Sequence, residues 1–152
     1  MEKKRMDQKN DPKRELQRKY LEMQYLGEKL QEMQKQMEKI DESLLEIMNA
    51  QDTLNDIKVL KKGSELLVPL TNGIFVKANL ESTDNLIVNV GAQVTVQKKI
   101  SEVVKMLNHQ AEDALRVKAQ LQEQFEELIT RVGELEKDLQ GLLEEGEVAE
   151  DI

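Results

Sequence analysis

The chain has 152 residues, with 22 Lys+Arg against 30 Asp+Glu, a formal charge of −8, one His, no Cys and no Trp. Zero Cys excludes disulfides, thiolate zinc sites and Cys nucleophiles, and the acidic balance disfavours nucleic acid as a main partner, because phosphate binding needs a basic face. Aromatics are 3% of the chain and charged residues 34%, which argues against an ordinary aromatic-rich core and for long helices or coiled coils. No apolar run approaches the ~18 residues of a membrane helix, and Met1-Glu-Lys-Lys-Arg-Met is not followed by the apolar stretch of a secretory signal. No membrane association is therefore expected.

The first predicted element is a coiled-coil helix over 10–62. With Leu16 at heptad position a, the a series reads Leu16, Met23, Leu30, Met37, Leu44, Gln51, and the d series Lys19, Leu26, Met33, Ile40, Ile47, Leu54. Ten of these twelve are apolar, and a 3-4 spacing sustained over five heptads is a coiled-coil signature. Pro12 suits the helix start. Gly63, after Lys61-Lys62, suits its end.

In residues 65–98 the apolar period changes to two. Val68, Leu70, Ile74, Val76, Ala78 and Leu80, then Leu86, Val88, Val90, Val94 and Val96, continue one apolar face. Asn72-Gly73 is a strong short hairpin signal. Ser82-Thr83-Asp84-Asn85 reads as a turn, and Gly91-Ala92 as a second tight one. Pro69 cannot donate to a ladder, so its strand is expected to lie at an edge or to face outward there. The expectation is four short strands in two β-hairpins.

A second coiled-coil helix is predicted over 99–145. One series is Ile100, Leu107, Ala114, Leu121, Leu128, Leu135, Leu142, and its companion Val104, Ala111, Lys118, Phe125, Val132, Leu139; twelve of these thirteen are apolar. Ser101 with Glu102 gives a start signal. Gly141 and Gly146 mark where the helix is expected to fray, leaving 146–152 as a disordered acidic tail.

The fold class is therefore α+β. A long antiparallel helical coiled-coil hairpin carries two β-hairpins (four short strands) at its closed end, in a single domain spanning 1–152. Each arm of about 45 residues spans roughly 70 Å at ~1.5 Å per residue. An isolated pair of hairpins is marginal in water and exposes strand edges. The strands are thus expected to be pooled into an oligomeric β-barrel through Val68, Leu70, Ile74, Val76, Ala78, Leu80, Leu86, Val88, Val90, Val94 and Val96. At the free ends, the helices are expected to fray and offer Leu16, Tyr20, Met23, Leu26, Leu135, Leu139, Leu142 and Leu143 as weak multivalent apolar contacts.

Other motifs read as solvated surface. His109 with Glu112 supplies two ligands on one helix, which is not a metal site. Glu126-Glu127 and Glu144-Glu145 lack the pocket that acid–base catalysis needs. One His and no Cys leave no Ser-His-Asp or Cys-His arrangement in depth, and no phosphate loop occurs. Neither an enzyme nor a cofactor is expected. Lys3, Lys4, Arg5, Lys9, Lys13 and Arg14 are interleaved with Glu2, Asp7, Asp11 and Glu15, the pattern of a charged solubilising tail, with a basic arm for an acidic partner as the alternative.

The order of long helix, two hairpins and long helix resembles the α-type subunit of prefoldin over nearly the whole chain. The likeness is sharpest in Leu67-Val68-Pro69-Leu70, Gly73, Phe75-Val76, and Val88-Asn89-Val90-Gly91 followed by Val94 and Val96. Gln93 departs from the pattern, standing where that family often carries a second Gly. The resemblance implies two alpha with four prefoldin beta-type subunits in a cytoplasmic hexamer. It also implies an ATP-independent holdase that captures unfolded client proteins with its coiled-coil tips and passes them to a group II chaperonin. A filament-forming or scaffold prefoldin-like protein is the alternative. An RNA-binding helical arm is disfavoured by the charge and the complete strand segment.

Overall fold

In the computed structural model, residues 11–150 are described, with side chains through 146. The basic run from Lys3 to Lys9 and the last two residues of the acidic tail lie outside the described residues. The element order is α1 (Pro12–Lys58), β1 (Glu65–Thr71), β2 (Ile74–Asn79), β3 (Asn85–Gly91), β4 (Val94–Lys99) and α2 (Ile100–Glu150). The chain divides into two compact units. A helical unit contains Met1–Lys39 and Val117–Ile152, and a strand unit contains Ile40–Arg116.

Helix α1 begins because Asp11 caps it: its Oδ1 accepts from Lys13 N at 3.2 Å, and its carbonyl accepts the first helical bond from Glu15 N at 3.1 Å. Pro12 follows directly, where its missing N–H leaves nothing unsatisfied. The helix stops at Lys58, short of the expected 62. Leu60 N bonds Ile57 O and Ser64 N bonds Lys61 O, so the chain leaves through two tight turns rather than one glycine cap. Gly63, at φ +88, supplies the left-handed residue of the second turn.

Within the helical unit, the N-terminal part of α1 packs antiparallel against the C-terminal part of α2. The seam holds Leu26, Met33, Leu135 and Leu139, exposed by 7%, 5%, 0% and 6%. These are the apolar heptad positions, and knobs-into-holes packing encloses such residues from both sides. Polar groups flank the seam and tie the helices together. Lys19 Nζ donates to Asp138 Oδ2 at 2.9 Å, and Arg131 Nε donates to Glu22 Oε1 at 3.0 Å. Helix α2 runs to Glu150, so the boundary expected at 145 is corrected: single glycines cost about 1 kcal/mol each in a helix and do not stop one rich in Glu and Leu.

In the strand unit, Leu54, Ile100 and Val103 form the buried apolar set. Gln51 Nε2 donates to Asn108 Oδ1 at 2.8 Å, linking α1 to α2 at a polar seam position. The strands form two separate two-stranded antiparallel sheets, β1-β2 and β3-β4. The first is lengthened by Gly63 N to Leu80 O and Leu80 N to Ser64 O, at 2.7 and 2.9 Å. Helix α2 follows β4 without a loop. Its first amide, Ile100 N, is satisfied by Asp84 O at 2.9 Å, so Ser101 lies inside the first turn and is not the cap.

The two hairpin tips differ from the pattern expected of them. Both loops have two residues, between the pairs Thr71↔Ile74 and Gly91↔Val94. At Asn72-Gly73 only the glycine has positive φ, +78. The second loop is Ala92-Gln93, one residue beyond the Gly91-Ala92 expected, and both residues are left-handed at φ 47 and 62. That is the mirror-image turn matching strand twist, normally made by Asn and Gly. Gly91 is used one position earlier, at φ 118 beside a register shift, with its amide held by Asn89 Oδ1 at 2.9 Å.

Candidate assembly and client surfaces

Strand pairing sorts the first hairpin into two faces. Leu66↔Ala78 and Val68↔Val76 lie opposite one another, and so do Leu67↔Lys77 and Pro69↔Phe75; directly paired residues share a face. The first face is the one expected from the alternation. Val68, Leu70, Ile74 and Val76 are all exposed, between 41% and 65%, while Ala78 and Leu80 are half-buried. The second face carries Leu67 and Phe75, exposed by 63% and 56%, beside the Glu65–Lys77 ion pair at 3.5 Å. This hairpin is apolar on both sides, which period-two reading of a single face missed.

The second hairpin is one-sided. Leu86, Val88 and Val96 are half-buried, and Val90 and Val94 are 54% exposed. Its other face pairs Ile87 with Gln97 and Asn89 with Thr95, so Ile87, at 80% exposure, is the lone large apolar residue there. Together the hairpins display an unusual amount of branched aliphatic surface for so few strands. A groove of this unit, about 550 Å³, is lined by Lys58, Thr83, Asp84, Asn85, Lys99, Ile100 and Ser101, and only Ile100 among these is a large apolar residue.

The helical unit holds the eight expected client-contact residues in three settings. Leu26, Leu135 and Leu139 are buried in the seam, so these three pack rather than fray. Mutual burial of the two apolar stripes accounts for that closure, with the cross-helix ion pairs a minor addition. Leu16, Met23 and Leu142 are half-buried. Tyr20 and Leu143 are exposed, by 49% and 48%. Leu21, Tyr25 and Ile129 are more exposed still, at 65%, 61% and 51%, and were missed because they fall outside the heptad seam. Their signal was the converse one, apolar residues at positions that packing does not require.

The electrostatics of this unit are those of paired surface charges. The Lys19 ammonium, donating to Asp138 and near Glu15, is held above its ordinary pKa; Asp138, accepting from it, is held below the usual carboxylate range. Arg131 is likewise raised by its hydrogen bond to Glu22. His109 Nδ1 lies 3.8 Å from Glu112 Oε2, both side chains well exposed. Among the described residues no group of three or more His, Cys, Asp or Glu could hold a metal ion, and no helix is long and apolar enough to cross a membrane.

Two long helices, and two hairpins with uncovered apolar faces, define a class of protein, the coiled-coil subunit whose strand segments lack a cover of their own. The chain belongs to the prefoldin family: the family model described as "Prefoldin subunit" matches residues 26–145. It is 31% identical over 126 residues to prefoldin subunit alpha of Methanococcus aeolicus, covering 83% of this chain and 85% of that protein. It is 28% identical to prefoldin subunit alpha 1 of Methanocaldococcus jannaschii, covering 90% and 94%. In fold it is similar to a chain of a filamentous PFD from Methanocaldococcus jannaschii solved by cryo-electron microscopy, with TM-score 0.67 and 19% identity, covering 74% of this chain and 93% of that one. The family is one of chaperones that form oligomers with other prefoldin subunits, and it is not a known enzyme class.

Proposed function

We propose that the chain is an alpha-type subunit of a hetero-oligomeric, ATP-independent holdase, assembling as two alpha with four beta through its hairpins. The observation that carries this reading is the uncovered aliphatic surface of Val68, Leu70, Ile74, Val76, Val90 and Val94. Two-stranded sheets with such faces are marginal alone, and pooling strands with related subunits removes both the apolar exposure and the open edges. Unfolded clients then meet exposed side chains of the helical unit, chiefly Tyr20, Leu21, Tyr25 and Leu143, in many weak contacts that release readily. The cytoplasm and delivery of clients to a group II chaperonin complete the proposal, on the strength of family membership.

The test is suppression of client aggregation without ATP, by the chain mixed with a beta-type prefoldin subunit. Replacing Tyr20 and Leu143 with Ser is expected to leave assembly and helicity intact. It should weaken client binding by about 1 kcal/mol per side chain, roughly fivefold each. Undiminished holding by the assembled double variant would contradict the client surface. A second reading, open-ended assembly through the same strands, is favoured by the likeness to a filamentous PFD. Long homopolymers formed by the chain alone would select it.

A further inference from the structure

We propose that Asn72 is a site of spontaneous hydrolytic deamidation, which places a carboxylate at the tip of the first hairpin as the protein ages. In the sequence Asn72 is the only Asn followed by Gly. It is exposed in a two-residue loop, and its side chain has no hydrogen-bond partner among the described residues. Gly73 has φ +78, and no heavy atom lies within 4 Å of where a side chain would begin. The residue that supplies the attacking nitrogen therefore carries no side chain, has open space on its Cβ side and has wide conformational freedom.

No other asparagine is followed by Gly, and several of those in the described residues are further restrained. Asn89 Oδ1 is held by Gly91 N at 2.9 Å, and Asn108 Oδ1 by Gln51 Nε2 at 2.8 Å. The amide following Asn79, Leu80 N, is engaged by Ser64 O at 2.9 Å. Asn49 and Asn55 sit within α1, whose backbone amides are committed to the helix.

The chemistry balances with hydroxide and water alone. Hydroxide removes the Gly73 amide proton, and the nitrogen attacks the Asn72 side-chain carbonyl carbon. A new C–N bond forms as the side-chain nitrogen leaves as ammonia, giving a succinimide. Water then adds to one of its two carbonyls, breaking that C–N bond and leaving either aspartate or isoaspartate at position 72. The second product lengthens the main chain within the loop that fixes the β1-β2 register, beside exposed Leu70 and Ile74. A loss of assembly with age rests on the assembly surface proposed above; the modification itself does not.

The experiment ages the full-length chain at mildly acidic and mildly alkaline pH and follows tryptic peptide 63–77 by mass spectrometry, in which Asn72 is the sole side-chain amide. The expected result is the NH2-to-OH mass gain in this peptide ahead of all others, at a rate proportional to hydroxide, with isoaspartate detected by an isoaspartyl methyltransferase. Asn72→Gln, or Asn72→Ser should the first perturb the hairpin, is expected to abolish the gain with an unchanged circular dichroism spectrum. An unchanged peptide 63–77, or faster gain elsewhere, would overturn the proposal. Native mass spectra of fresh and aged chain with a beta-type subunit separate the two layers. A mass gain with undiminished assembly supports the site and removes only its consequence, whereas lost assembly without the gain counts against the site.

Discussion

In the helical unit Leu135 is fully enclosed, whereas in the strand unit Ile87 is 80% exposed and three consecutive residues of β2, Ile74, Phe75 and Val76, are each about half exposed. The same kinds of side chain thus meet opposite fates in one chain. Two helices can bury each other's apolar stripe because each presents that stripe every three to four residues to the other. A two-stranded hairpin has no such second layer, and period two places apolar residues on both of its sides whenever they run consecutively. Self-sufficiency of the helices and insufficiency of the strands is the physical division of labour in this subunit.

The strands' need for a cover is most sensitive to Val76. Val76→Asp is expected to abolish higher-order assembly, since pooling the strands would bury an unpaired carboxylate. The helix-melting midpoint of the unassembled chain is expected to move little, because Val76 is 46% exposed there. Native mass spectrometry and thermal circular dichroism read the two effects; normal assembly by the variant would displace the interface. In the helical unit the order reverses. Leu135→Ala is expected to cost about 2–3 kcal/mol through the cavity it leaves, measured by urea unfolding, while oligomer composition stays unchanged. Leu139→Ser would also open this seam, at a residue 6% exposed, which is why exposed Tyr20 and Leu143 are the cleaner positions for testing client contact.

A smaller effect is expected at the second hairpin tip. Gln93→Gly should stabilise the strand unit by about 0.5–1 kcal/mol, because a left-handed backbone at φ 62 is strained for Gln and not for Gly. The gain should appear as slower hydrogen exchange in β3 and β4, and destabilisation would mean that the turn's side chains matter more than its backbone.

Charge pairing across the helices gives the smallest term, and its sign is fixed by the pKa directions. Asp138 is lowered, chiefly by the hydrogen bond from Lys19, so its stabilising contribution is present above the ordinary carboxylate range and lost as pH falls through the lowered value. Lys19 is raised, chiefly by the same bond, so its contribution is present below the ordinary lysine value and lost as pH rises through the raised one. The stability difference between wild type and Asp138→Asn should therefore be flat near neutrality and vanish at both extremes. Asp138 is exposed and Lys19 only half-buried, so solvent screens the pair and the difference should also shrink with added salt. A difference that grew in acid would refute the pairing.

Much of this architecture was legible in the heptads. Every seam position read from the spacing, from Leu16 to Leu54 and from Ile100 to Leu142, is buried or half-buried. Lys19 and Gln51 interrupt the apolar series, yet each hydrogen-bonds across to the other helix, to Asp138 and Asn108. The four strands and their hairpin order were legible from the change of period. Less so were the endpoints: α1 stops at Lys58 and α2 passes Gly141 and Gly146, because glycine weakens a helix without the steric veto of proline. The left-handed Ala92-Gln93 turn was hidden because neither residue favours that conformation, and strand twist imposes it. Tyr20, Leu21 and Tyr25 show the limit of pattern reading: a heptad identifies what packs, and exposure identifies what remains for a partner.

Native mass spectrometry of the chain alone and mixed with a beta-type prefoldin subunit tests the central claim, that the hairpins require related strands to cover them. A discrete hexamer of two with four is expected on mixing. A stable monomer that ignores the partner would contradict it.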